Sequence, residues 1–130
     1  MTSIDTNVLV RIITNDDAIQ AERAVTFIEK QPAVLILRTV LIETEWVLRA
    51  SYHLSRRTIL IAIRAIAELD NVEIEHHTIV ELALGWYEQG LDFADSVHLV
   101  SAGTTADFAT FDVSLLRKAK RLGITNLVAV

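Results

Sequence analysis

The sequence contains no cysteine, and it has only one proline and four glycines among 130 residues. Without cysteine there are no disulfide bonds and no thiolate ligands, so any metal ion must be held by oxygen or imidazole groups. The scarcity of proline and glycine leaves few forced helix ends and no linker-like stretch. We therefore expect a helix-rich chain that forms one domain over residues 1–130, a length that suits a single compact core.

Long apolar runs are missing as well. The longest, such as residues 34–37 and 59–63, have four or five residues, whereas a membrane-spanning helix needs roughly 18 or more. The N-terminus also lacks the basic start and apolar stretch of a signal peptide. We expect a cytoplasmic protein without a membrane segment.

Positive charge is in deficit, with 12 Lys and Arg residues against 17 Asp and Glu residues and a net charge of −5. This balance argues against a nucleic-acid partner, because phosphate binding usually draws on a basic surface. If four carboxylates hold cations, however, 12 basic groups face only 13 acidic ones, and RNA is not excluded. The dense basic clusters, which fit a solvated helix face or a phosphate contact equally well, are Arg56 with Arg57, and Arg117 and Lys118 with Lys120 and Arg121.

Short apolar segments alternate with longer segments of helical periodicity. Strands are predicted at residues 2–4, 33–37, 72–74, 108–110 and 125–128. Helices are predicted at residues 18–29, 39–52, 56–69, 79–89, 93–106 and 113–122. Strands separated by helices require crossover connections, which indicates an α/β fold with a short, mostly parallel central sheet flanked by helices. In such folds ligands bind where the strands end.

Asp5 and Asp112 each follow a predicted strand and precede a helix. Both fit a helix N-cap, which is the more common use of Asp at such a position. Two carboxylates at the ends of two parallel strands would, however, lie on the same edge of a sheet. Their predicted proximity makes both of them candidate metal ligands.

Two glutamates in the predicted helix over residues 39–52 have different surroundings. Glu45 has Arg49 four positions later, in the favourable orientation for a helical ion pair. Glu43 shares a face with apolar residues and has no basic residue three or four positions away. Burying it without a partner would cost several kcal/mol, which a bound cation would offset; the alternative is a helix turned so that Glu43 meets solvent.

Asp92 and Asp95 stand at the start of another predicted helix. Asp92 fits the N-cap, and Asp95 either completes a variant of the capping box or acts as a ligand in the first helical turn. His98 lies one turn further on and is assigned no catalytic role. The remaining histidines have no metal-ligand spacing, and the sequence has no phosphate-binding glycine loop and no nucleophile elbow. The candidate ligands are therefore carboxylates, which suit Mg²⁺ or Mn²⁺.

Four segments of the sequence, in this order, resemble the signature blocks of PIN-domain proteins, and most closely those of VapC-type toxins of bacterial toxin–antitoxin pairs. The resemblance covers nearly the whole chain, and its blocks read DTNVLVR at residues 5–11, LIETEWVLR at 41–49, LDFAD at 91–95 with His98 and Leu99, and TFD at 110–112. It implies the PIN-domain fold and an acidic cluster that binds a divalent cation, made of Asp5, Glu43, Asp95 and Asp112. Thr6, Asn7 and Thr110 match the supporting polar positions of the family.

The resemblance further implies endonucleolytic cleavage of RNA with Mg²⁺ or Mn²⁺, inhibition by a cognate antitoxin, and a homodimer. The helix predicted from residue 56 has an apolar stripe at Ile59, Ile63, Ile66 and Leu69, and Leu60 and Ile61 lie outside it. This excess of apolar residues suggests an interface, and we expect the first four helices to form a groove for the antitoxin.

Two other functions are compatible with parts of the sequence. A PIN-like protein that only binds RNA or protein would have the same fold. A receiver-like signalling domain is also a small α/β fold with carboxylates at the sheet edge. Its adjacent acidic pair would have to be Asp16 and Asp17, which follow a helix-like segment instead of a strand.

Overall fold

The computed structural model describes residues 1–103 and 105–130. Its elements alternate between short strands and longer helices. They are β1 (Thr2–Ser3), α1 (Thr6–Thr14), α2 (Ala18–Glu29), β2 (Val34–Ile36), α3 (Arg38–Ala50), α4 (Arg56–Ala67), β3 (Val72–Ile74), α5 (His77–Glu88), α6 (Phe93–Ala102), β4 (Phe108–Thr110), α7 (Val113–Arg121) and β5 (Leu127–Ala129). The prediction of a helix-rich α/β fold with parallel strands is confirmed.

The predicted element positions agree with the structure to within a few residues. Helix α6 is the largest departure, because it ends at Ala102 instead of residue 106. Gly103 follows it with a φ of 53°, a positive value that favours glycine. The predicted helical residue Thr104 lies outside the described residues. For α1 the sequence predicted a helix after Asp5 but not its bounds.

The chain divides into two compact units, of which the first comprises residues Met1–His77. Its three strands form a parallel sheet in the order β1-β2-β3, with Thr2 opposite Val34 and Val34 opposite Val72. Parallel neighbours need crossover connections, and here α1 with α2, and α3 with α4, provide them. The carboxyl ends of the three strands therefore lie at one edge, where α1 and α3 begin.

The second unit comprises residues Thr78–Val130. Strands β4 and β5 pair in parallel, with Phe108 opposite Leu127, and α7 connects them. Leu91, Leu99 and Leu115 form a buried cluster at its centre. Five partly buried side chains pack against this cluster, namely Trp86, Phe108, Leu122, Ile124 and Leu127.

Helix α3 begins without a side-chain cap from its own N-cap residue, Leu37. Instead the carboxylate of Glu75, which follows β3, accepts hydrogen bonds from the backbone N–H and the Nε of Arg38, both at 3.1 Å. These hydrogen bonds and the charge of Arg38 lower the pKa of Glu75. A long-range contact thus supplies the anionic group that helix N-termini favour.

The burial of α4 corrects part of the predicted stripe. Ile59 and Ile63 are buried as expected, but Leu60 is buried too, so the apolar face of the helix is broader than the stripe. Leu69 lies beyond the end of α4 at Ala67 and is exposed. Of the two residues predicted outside the stripe, only Ile61 is exposed, at 57%.

No helix in the described ranges is long and apolar enough to cross a membrane.

Replacing Ile59 by Ala is expected to lower the free energy of unfolding by about 2–5 kcal/mol, the usual range for removing a large aliphatic side chain from a core. Ile59 is 0% exposed. Ile61→Ala, on the same helix, is the matched control and should change it by roughly 0.5 kcal/mol or less. Urea denaturation of both variants checks this, and similar losses in the two would contradict the burial of Ile59.

Candidate functional site

Asp5 is the N-cap of α1, immediately beyond the end of β1. Its Oδ1 accepts a hydrogen bond from the backbone N–H of Val8 at 3.2 Å, as the capping interpretation predicts. The side chain is exposed, and the cap occupies only one of its two oxygens. Capping therefore fixes the carboxylate in place and leaves its second oxygen available to a cation.

The next residue, Thr6, connects this position to α3. Thr6 is buried, and its hydroxyl donates a hydrogen bond to Oε1 of Glu43. Glu43 is therefore hydrogen-bonded to the residue that follows Asp5, although 38 residues separate Glu43 from Asp5 in the sequence. The first unit thus links two of the four predicted acids through Thr6.

The expectation that Glu43 lies on an apolar, buried face is wrong. Glu43 is exposed, and the buried residues of α3 are Leu41, Thr44, Glu45 and Leu48. The helix is rotated so that Glu45, at 2% exposed, lies inside and pairs with Arg49, with Oε2 and Nε 2.9 Å apart. The predicted ion pair is thus confirmed, and it satisfies the glutamate that the fold buries. Glu43 needs no cation to offset burial.

Asp95 lies in the first turn of α6, whose N-cap is Asp92. The carboxylate of Asp92 accepts from the backbone N–H of Asp95 at 3.1 Å. Asp95 itself is half-buried. Burial raises its pKa first, and the negative charges of Asp92 and Asp112 raise it further, while His98 lowers it. The ionised form of Asp95 therefore has too little compensating positive charge around it.

Asp112 repeats the arrangement of Asp5 in the second unit. It is the N-cap of α7, and its Oδ1 accepts from the backbone N–H of Leu115 at 3.0 Å. The hydroxyl of Thr110 in turn accepts from the backbone N–H of Asp112, also at 3.0 Å. The negative charge of Asp112 also raises the pKa of Asp95, so the other two predicted acids interact electrostatically within the second unit.

The remaining positions singled out in the sequence lie on the surface. Asn7 is exposed and lines an open groove between α1 and α2, together with Arg11 and Phe27. His98 is also exposed. Its ring stacks on Phe108, with centroids 5.9 Å apart.

Asp16 and Asp17, the adjacent acids that a receiver domain would require, both have structural roles. Asp16 accepts hydrogen bonds from Tyr52 at 2.7 Å and from Arg11 at 2.9 Å. The Tyr52 hydroxyl is the main cause of the lowered pKa of Asp16, with Thr14 and Arg11 adding to it. Asp17 is the N-cap of α2. The pair connects helices of the first unit, and nothing in it indicates a phosphoacceptor.

The donor atoms of both acidic pairs fit a hard divalent cation. All are carboxylate oxygens, and a bound cation would offset both the burial and the repulsion that raise the pKa of Asp95,. Over residues 1–103 and 105–130, no group of three or more His, Cys, Asp and Glu side chains is arranged as a ready metal site. The fit is therefore one of donor chemistry and charge.

Phe111 lies within a signature block, at the centre of TFD over residues 110–112, and the sequence predicts no role for it. The structure leaves its side chain 81% exposed, between Thr110 and Asp112. The sequence offered one signal for this exposure. Phe111 stands between Thr110 and Asp112 at a junction of strand and helix, and residues of these two polar types are mostly exposed.

The chain matches the PIN domain family over residues 3–121. This range contains all four candidate acids, all seven described helices and the strands β2, β3 and β4. The protein therefore belongs to the PIN-domain family, and membership supports a nuclease activity in general.

Among solved structures, the chain is similar to VapC20 of Mycobacterium tuberculosis, a toxin that cleaves the sarcin–ricin loop. The two sequences are 20% identical, with a TM-score of 0.45, and the similarity covers 90% of this chain and 94% of the other. Similarity this weak does not transfer an activity from one chain to the other. No curated protein matches the sequence.

The two substitutions Asp112→Ala and Asp112→Asn should separate the structural role of this side chain from any other. Alanine cannot cap α7, and we expect a loss of about 0.5–2 kcal/mol in the free energy of unfolding. Asparagine caps as well as aspartate and should leave the stability nearly unchanged. Chemical denaturation measures both, and equal stability of the two variants would contradict the capping role.

Asp95→Asn should stabilise the protein at neutral pH in the presence of a chelator. Because the folded-state pKa of Asp95 is raised, its contribution to stability is fully present below the unfolded-state pKa and is lost as pH rises through the folded-state pKa. Asparagine stays neutral throughout, so its advantage should grow with pH over this window and disappear below it. Denaturation curves from acidic to neutral pH test this, and a variant less stable at pH 7 would contradict it.

Proposed function

We propose that the protein is a divalent-metal-dependent endoribonuclease, the toxin of a VapBC-type toxin–antitoxin pair. The observation that carries the nuclease assignment is the PIN domain match, which spans residues 3–121. The toxin assignment rests on the signature blocks in the sequence. The active-site acids in this proposal are Asp5, Glu43, Asp95 and Asp112, with Thr6, Asn7 and Thr110 in supporting roles.

The pairing of acids within each unit supports this assignment. Asp5 and Asp112 are oriented by backbone N–H groups, and the hydroxyl of Thr6 orients Glu43. Preorganised carboxylates of this kind hold their positions without reorganisation during the reaction. Asp95, whose ionised form lacks compensation, gains most from a nearby positive charge.

Mg²⁺ or Mn²⁺, when bound, would supply an activated water and positive charge beside the phosphodiester. The roles of the protein groups are part of the proposal. Asp5 and Asp95 would anchor the cation, and Glu43 and Asp112 would complete its site, hold a second ion or orient the attacking water as a general base. The Thr6 hydroxyl restricts Glu43 by occupying one of its carboxylate oxygens.

The proposed partners are the RNA substrate, a second copy of the chain, and an antitoxin. For the antitoxin, the first unit offers an open groove of about 420 Å³ whose lining includes Ile13, Tyr52, Leu54 and Ile61. These residues come from α1, from α4 and from the segment between α3 and α4. An amphipathic segment with apolar side chains at helical spacing would suit such a surface.

Asp5→Asn and Asp95→Asn should each abolish RNA cleavage while leaving the fold intact. The purified protein, freed of copurifying proteins, is incubated with tRNA, rRNA and mRNA in Mg²⁺, Mn²⁺ or EDTA. We expect cleavage with either metal and none in EDTA. Thermal unfolding of each variant verifies its fold.

Asp17→Asn is the matched control for Asp5→Asn. Both residues are helix N-caps, and asparagine preserves a cap,. The control removes the same charge outside the proposed site and should cleave RNA like the unmodified protein. Full activity of either site variant would refute the acid assignment, and absence of cleavage in every RNA and metal would favour a PIN-domain protein that only binds.

A further inference from the structure

The densest positive charge of the chain lies in α7. Four of the 12 Lys and Arg residues fall within residues 117–121, and the helix contains no acidic residue. Leu115 and Ala119 are buried and define its inner side. Helical spacing places Val113, Arg117 and Lys120 on the opposite side, and all three are exposed.

The cations of α7 differ from the arginines that stabilise the fold. Arg11, Arg38 and Arg49 form salt bridges with Asp16, Glu75 and Glu45. The four basic residues of α7 are Arg117, Lys118, Lys120 and Arg121. Within the described part of the chain, none of them forms a salt bridge with a carboxylate. In a chain of net charge −5, a concentration of unpaired cations on one helix indicates an anionic partner.

Exposed apolar groups flank the beginning of the same helix. Phe111 is 81% exposed and Val113 is 68% exposed, one on each side of Asp112. The stability of the fold gains little from a phenylalanine in solvent. An exposed aromatic ring beside a basic surface is, however, the usual composition of a site for single-stranded nucleic acid, where the ring stacks on a base and the cations contact phosphates.

We propose that Phe111, Arg117, Lys120 and Arg121 form a binding surface for single-stranded RNA, here called the α7 surface. This inference rests on the proposed ribonuclease function, in which Asp112 belongs to the site of cleavage. Phe111 then stacks on the base of a nucleotide next to the cleaved phosphodiester. Arg117 lies about one helical turn further and Arg121 about two turns, roughly 12 Å along the helix from its start, where they contact neighbouring phosphates.

A base-stacking ring distinguishes RNA from other anionic partners. Acidic protein segments and anionic lipid surfaces would both use the cations, but neither presents nucleobases. The two parts of the α7 surface therefore make separable contributions: the cations give affinity that depends on salt, and Phe111 gives affinity that depends on bases.

The test measures binding of a fluorescently labelled single-stranded RNA to the 130-residue Asp5→Asn protein, which should not cut it, by anisotropy at several salt concentrations. Phe111→Ala should weaken binding about 5- to 100-fold without changing the salt dependence. Phe111→Trp should restore it. Arg117→Gln with Lys120→Gln should make the negative slope of log K against log salt shallower by about 1.4, because each phosphate contact on a single strand contributes about −0.7.

The control Arg23→Gln with Lys30→Gln removes the same charge from exposed residues of the first unit and should leave the slope nearly unchanged. Binding of inorganic polyphosphate, which has no bases, should be insensitive to Phe111→Ala. In the active protein, Phe111→Ala and the double variant Arg117→Gln with Lys120→Gln should each raise the KM for RNA more than they lower kcat.

Unchanged RNA binding in the Phe111 and α7 variants would overturn the α7 surface. If the unmodified protein still cleaves RNA, the proposed function survives that result. Equal losses in the α7 double variant and the control would reduce the effect to net charge and would also overturn it. Binding of anionic lipid vesicles or of poly-glutamate through α7, without RNA binding, would assign the surface to another partner and would contradict both proposals.

Discussion

Hydrogen bonds from helix N-termini to aspartate side chains fix the positions of four acidic groups of this protein, two of them proposed site residues. Of the seven helices in the described residues, four begin at an aspartate whose carboxylate accepts a backbone N–H: α1 at Asp5, α2 at Asp17, α6 at Asp92 and α7 at Asp112. Short parallel strands place the starts of α1 and α7 directly after a strand. The same N-cap hydrogen bond therefore stabilises the start of the helix and the turn that precedes it, and it fixes a carboxylate near the end of the strand.

Capping and ligand binding are often treated as competing explanations of such a residue, but they use different oxygens of one carboxylate. A cap occupies one oxygen and restricts the side-chain rotamer, which lowers the entropy cost of holding a cation with the other. Asp95 differs because it lies in the first turn of its helix and caps nothing in the contacts described above. Its environment disfavours the charge that the proposed function requires, which is the usual relation between stability and activity at a functional site.

Much of the fold was predictable because its signals are local. Periodicity and caps located the helices, and β3 and β4 were predicted at their observed positions. The rotation of α3 was not predictable from its own sequence, because Glu43 and Glu45 both stand among apolar neighbours. Tertiary packing determines the rotation of α3. Glu45 is buried and forms an ion pair with Arg49, and Glu43 accepts a hydrogen bond from the hydroxyl of Thr6 in α1. The cap that Glu75 provides for α3 was missed for the same reason, since 37 residues separate it from Arg38.

The candidate acids themselves were predicted from the sequence, first as carboxylates at strand ends (Asp5 and Asp112) or in helices (Glu43 and Asp95), and then through the PIN-domain signature blocks. The local argument for Glu43 nevertheless rested on burial that the structure does not show. What remains is its position beside Thr6. The family pattern thus selects Glu43 although the sequence of α3 alone does not show why. Its hydrogen-bond partner, Thr6, comes from a distant part of the chain.

The use of aspartate caps has a consequence for inheritance. Aspartate and asparagine codons differ by a single base, and asparagine caps a helix as well as aspartate does. If the protein harms the cell that makes it, as a toxin would, selection for survivors should favour Asp-to-Asn changes at positions 5 and 112. Such alleles would encode abundant, well-folded and harmless proteins that still occupy the antitoxin, instead of the truncated chains that usually silence a harmful gene.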